Sequence, residues 1–69
     1  MRNPARLDNF YDTIKKIHKE EFPDWRFGQL CSNFFSWLYS EKGLDCFFPE
    51  EDDMLKYLKE YSGVNKWIK

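Results

Sequence analysis

Chemistry is what this chain has least of. Among 69 residues there is one histidine, His18, and there are two cysteines, Cys31 and Cys46. Glycine and proline number three each, too few for a phosphate-cradling glycine loop or a proline-rich linker. The cysteines stand 15 positions apart and form neither a metal site nor a C-x-x-C redox motif. They read as two small hydrophobes of a reducing compartment, and a disulfide between them is the lesser reading. No run nears the roughly 18 apolar residues of a membrane span. The opening MRNPARLDNF also lacks the apolar stretch of a secretory signal. The sequence therefore predicts a cytoplasmic protein with no membrane partner. Charge of one sign is missing too: 11 basic and 12 acidic residues leave a net charge of −1. So balanced a chain has no overall field to steer it onto nucleic acid.

What the chain does have is rings. Fourteen of its residues, 20%, are phenylalanine, tyrosine or tryptophan. A domain this short hides only about 60% of the surface its unfolded chain exposes. Large rings bury much apolar area per residue, so they answer first for stability. Any ring left outside becomes an anchor for a partner.

Three helices can be read from the spacing. The first opens at Asn3-Pro4, an N-cap followed by a proline suited to the first helical position. Leu7, Phe10, Tyr11, Ile14, Ile17 and His18 recur at intervals of three and four, which places them on one stripe. Phe22-Pro23-Asp24 ends it, because a residue before proline is pushed out of helical geometry. The second helix is read from Asp24 as N-cap to about Ser40, with Phe27, Leu30, Cys31, Phe34, Trp37 and Leu38 as its stripe. Trp25, Phe35 and Tyr39 fall outside that stripe. A helix apolar around so much of its circumference is expected at the centre of the fold. Gly28 within it suggests the close approach of another backbone.

Residues 41–49 break the pattern, with Gly43 as a helix stop and Leu44 to Phe48 as an extended connector whose rings dip into the core. The third helix is read from about Pro49 to Tyr61, with Glu50, Glu51, Asp52 and Asp53 matched to its positive dipole end. Gly63 reads as its stop. The fold class is thus all-α: a small three-helix domain over residues 1–63, with a central aromatic helix, an extended connector before the third helix, and a C-terminal tail at 64–69.

Several of these residues also form a pattern. Arg6-Leu7-Asp8, then Pro23-Asp24-Trp25-Arg26-Phe27-Gly28-Gln29-Leu30, then Asn33, then Asp45, Phe47-Phe48 and Glu51-Asp52 follow one another across most of residues 4–58. This resembles a family of small, functionally uncharacterised proteins of bacteria and their phages, with the R-F-G-Q-L piece as its most specific part. The tail and the rings around Phe35-Ser36-Trp37 lie outside the resemblance. It implies a bacterial or phage context and no mechanism.

Candidate sites follow from elimination. His18 is the one side chain suited to general base work near neutral pH, yet no nucleophile is paired with it. A surface or core-edge role fits it better. Neither cysteine has the basic neighbourhood that favours thiolate. The run Glu50–Asp53 lacks the alternating spacing and turn glycine of a calcium loop. No enzyme activity, cofactor or metal is therefore expected. Gln29 and Asn33, four apart, read as internal hydrogen-bonding partners for the connector.

The expected function is non-enzymatic binding of a protein partner, as an adaptor or inhibitor of phage or mobile-element type. Blocking a host defence nuclease is one use that the phage-like context suggests. The expected carriers are Trp25, Phe35, Tyr39 and Trp67, with Glu50, Glu51, Asp52 and Asp53 as an acidic rim. A homodimer is expected as well, since the second helix has apolar residues on more faces than two neighbouring helices can cover and the tail adds Trp67 and Ile68. The alternative is that the tail folds back over the second helix. The competing reading is a nucleic-acid-associated regulator using a basic face of Arg2, Arg6, Lys15, Lys16 and Lys19. Asp8, Asp12, Glu20 and Glu21 interrupt that face, which weakens it.

Overall fold

The computed structural model describes residues 2–68, with side chains described through Gly63. It is all-α, as the spacing predicts: α1 spans Arg6–Glu21, α2 spans Phe27–Lys42 and α3 spans Glu51–Ile68. No strand occurs among the described residues.

The start of α1 follows its sequence signals. The Asn3 side-chain oxygen accepts the Ala5 N–H at 3.0 Å. Arg6, Leu7 and Asp8 N–H groups then donate three residues back, so the chain enters the helix through a tight first turn. The helix ends at Phe22, held before Pro23 at φ −136°, whose N–H still reaches the His18 carbonyl at 3.1 Å.

The start of α2 differs from the expectation. Pro23 and Asp24 occupy the centre of a turn closed by Trp25 N–H donating to Phe22 C=O at 3.1 Å. Asp24 is therefore a turn residue, and Arg26, in extended geometry, stands at the N-cap. The end of α2 is as read: Gly43 adopts φ 66°, and its N–H donates to Tyr39 C=O at 2.9 Å. Only glycine takes that left-handed geometry without steric cost. Gly28 has no other atom within 4 Å of where a Cβ would stand, so no backbone crosses there.

The connector bends instead of running straight into the core. Asp45 accepts the Phe47 N–H on its side chain at 2.9 Å and the Phe48 N–H on its carbonyl at 3.3 Å. That turn throws both rings outward, leaving Phe47 84% and Phe48 76% exposed. Gly63 also departs from expectation. The backbone of α3 passes through it and continues to Ile68, so Gly63 is not a stop.

Packing is organised around α3, which both other helices contact, while α1 and α2 touch each other little. Arg6 meets Glu51 near the starts of α1 and α3, and Phe22 stacks on Tyr61 towards their ends, so these two helices run in the same direction. The core joins Ile17 and Phe22 to Leu30 and Phe34 of α2 and to Leu58 and Tyr61 of α3. The aromatic helix buries Leu30, Phe34 and Leu38 as expected, but the place between the other two helices, expected for α2, is taken by α3. Tyr61 is the hub, within 5.3–5.7 Å of the rings of Phe22, Phe34 and Trp37. Among the described residues no buried side-chain polar atom lacks a partner.

Candidate functional site: an apolar groove between three helices

Because α1 and α2 diverge on either side of α3, their facing stripes do not close on each other. The gap between them is an apolar groove of about 360 Å³. Its α1 wall is Phe10, Tyr11 and Ile14; its α2 wall runs from Phe27 through Leu30 and Cys31 to Phe34 and Phe35. The floor is Met54, Leu55 and Leu58 of α3. Helical spacing explains each wall, since residues three and four apart share a face. Two rings on the rim stand well clear of the core: Tyr11 is 60% exposed and Phe27 64%. A volume of this size lies in the range of ligand and side-chain pockets. Burial pushes the Cys31 thiol pKa up, and nearby Cys46 pushes it further. Cys31 thus behaves as a small hydrophobe of the wall, away from thiolate chemistry.

The expected anchors are placed unequally. Phe35 lines the groove, half-buried. Tyr39 is exposed at 69% further along α2. Trp25 is half-buried and stacked on Phe22 at 4.6 Å, so much of its face is committed to the core. Trp67 lies outside the residues whose side chains are described.

The acidic turn and the basic face meet each other. Arg2 pairs with Glu50 at 2.6 Å, and Arg6 with Glu51 at 2.7 Å. The Arg6 guanidinium holds the Glu51 carboxyl below the usual range, with Arg2 adding to the effect. These pairs clip the start of α1 to the start of α3. Asp52 and Asp53 remain exposed. Of the basic residues, Lys15, Lys16 and Lys19 border an open depression that Asp12 and Glu20 also line, so acids alternate with the lysines. His18 faces inward at the helix end, where its Nε2–H donates to the Trp25 carbonyl at 2.7 Å. It holds the turn that delivers Trp25. Gln29 and Asn33 are exposed, against the expectation that they serve the interior.

Tyr11, Phe27, Phe47 and Phe48 were not singled out as anchors from the sequence. Two adjacent rings in a short connector carried the available signal, because consecutive residues there rarely both face inward. No group of three or more histidine, cysteine or acidic side chains gathers as a metal site among the described residues. No described helix is long and apolar enough to cross a membrane.

Fold and groove together define a class, a three-helix domain presenting an open apolar cleft. Comparison with models of known families, with curated proteins and with solved structures finds no match for this chain.

Proposed function

We propose that this protein is a non-enzymatic protein-binding module whose recognition surface is the groove between α1 and α2. The observation that carries this reading is the coincidence of an open apolar cleft with exposed rings on its rim. Contiguous exposed apolar surface on a folded domain commonly marks an interaction site. Binding hot spots are also enriched in aromatic anchors beside desolvated pockets. The bacterial or phage context expected from the pattern in residues 4–58 belongs to the same proposal, an adaptor or inhibitor of phage or mobile-element type working in the cytoplasm. Blocking a host defence nuclease is one such use. A homodimer belongs to the same reading, because near-neutral charge opposes self-association little.

The test is capture from bacterial lysate with full-length wild type and with a Tyr11→Asp/Phe27→Asp variant as baits. Both residues are exposed, so the variant should keep the wild-type melting curve. Proteins held by wild type and released by the variant support the groove. Equal capture by both baits would move the binding surface elsewhere.

A further inference from the structure

The groove has an exposed ring pair beside it on the same chain. Phe47 and Phe48 pack edge to face at 5.6 Å and project from the Asp45 turn as a single knob. The knob directly precedes α3, whose Met54 forms part of the groove floor. Six positions separate Phe48 from Met54 on that floor. Knob and groove are therefore neighbours, and the knob is left out of its own groove by the Asp45 turn. An exposed knob beside an unfilled groove is the arrangement that lets two copies exchange knobs across a two-fold axis.

We propose that the groove's occupant is a second copy of this chain, with Phe47 and Phe48 of each copy seated between Tyr11 and Phe27 of the other. This rests on reading the groove as a protein-binding surface and names the protein that fills it. Area supports the choice. Each of these four rings exposes roughly 140 Å² at its observed fraction, given the 150–250 Å² such side chains bury. Eight rings in two copies, covered completely, would remove about 1,100 Å² from water, just under the ~1,200 Å² at which stable interfaces begin, which fits a weak dimer. Charge does not oppose the pairing, since Glu50 beside the knob is already paired with Arg2 at 2.6 Å. A net charge of −1 per copy leaves little repulsion to overcome.

The experiment is sedimentation equilibrium of the full chain. Wild type should dimerise at ~0.1 mM, and Phe47→Asp/Phe48→Asp should raise the dimer dissociation constant about a hundredfold. Circular dichroism melts of the two proteins should coincide well below the dimer dissociation constant, where both are monomeric and both rings are already exposed. A Tyr11→Lys/Phe27→Lys variant should also be monomeric alone. Mixing it with the Asp knob variant should restore a heterodimer, through one intact knob-and-groove contact and one new charge pairing. A wild type monomeric at ~1 mM would overturn the proposal. So would a dimer that survives the knob substitutions, or a mixture that yields no heterodimer. Equal lysate capture by wild type and the Tyr11→Asp/Phe27→Asp variant is a separate outcome, which moves the surface for foreign proteins away from the groove and leaves the sedimentation result standing.

Discussion

Replacing Tyr61 with alanine should remove the joint of this fold. The side chain is 8% exposed and meets Phe22 at 5.7 Å, Phe34 at 5.6 Å and Trp37 at 5.3 Å. It therefore holds the end of α1 and the middle of α2 against α3. Burying a ring of about 200 Å² at ~25 cal/mol/Å² is worth ~5 kcal/mol. Measured ring-to-alanine changes in cores cost about 3–5 kcal/mol. At ~0.05–0.15 kcal/mol per residue, the whole domain has only about 3–10 kcal/mol of stability. The loss should thus lower the melting temperature by roughly 15–30 °C, or unfold the chain outright.

The assay is thermal and urea denaturation followed by circular dichroism, with Tyr61→Phe as control. The control keeps every ring contact and should melt near wild type at neutral pH. Burial raises the phenol pKa of Tyr61. Its contribution is then complete below the unfolded value near pH ~10 and is lost as pH rises through the folded value. Tyr61→Phe should lose less stability than wild type on that alkaline limb. Phe34→Ala, at 4% exposure, should cost a similar ~3–5 kcal/mol. The double variant should fall short of additivity, because the two rings touch. A Tyr61→Ala protein melting within about 5 °C of wild type would refute the hub.

Three further outcomes follow from single observations. Gly63 lies inside α3 with no other atom within 4 Å of a built Cβ, so Gly63→Ala should stabilise by about 1 kcal/mol in urea melts; a destabilised variant would restore the helix stop read from the sequence. Glu51 has its pKa lowered by Arg6, so its contribution is present above the unfolded value near ~4.3 and is lost as pH falls through the folded one. Acid titration of Glu51→Gln should accordingly show a shallower loss of stability than wild type, and superimposable curves would discount the clip. Mobility assays at ~150 mM salt should show no specific binding to duplex or single-stranded DNA. Saturable binding weakened by Lys15→Glu and Lys19→Glu would instead favour the nucleic-acid reading.

The helices were legible because their evidence is local. Leu55, Leu58 and Tyr61 repeat at three residues, and all three are buried. Gly43 stands where a stripe ends, and its positive φ is the stop it promised. Asp24 misled because aspartate serves both as N-cap and as turn residue, and Pro23 before it decides for the turn. Gly63 misled for a related reason: three turns of established helix upstream outweigh one residue of poor propensity. The connector rings were misread because area alone argues for burial, whereas the Asp45 hydrogen bonds set their direction. Arg2 and Arg6 looked available for phosphate, yet their partners lie more than 40 positions downstream. The groove had no sequence signature at all. It arises from the divergence of α1 and α2, a relation between two stripes that each look ordinary alone.

That divergence divides the molecule's work between its two ends. Towards the C-terminal part of α3, Phe22, Trp25, Phe34, Trp37 and Tyr61 form a continuous ring cluster that holds all three helices. Near the N-terminal part, α1 is held to α3 by Arg6–Glu51 and Arg2–Glu50, and apolar side chains are left facing open space. Exposed ion pairs contribute little stability, so packing of α1 on α3 holds the α1 wall and the pairs only add to it. The groove is thus bounded by the three helices' own packing, and its rim rings are spared from the core. Substitutions at Tyr11 and Phe27 should consequently change binding without changing the melt, while those at Tyr61 and Phe34 change the melt first. A groove whose rim substitutions unfolded the protein would be an unfinished core. One whose rim can be altered freely is a surface kept open for a partner.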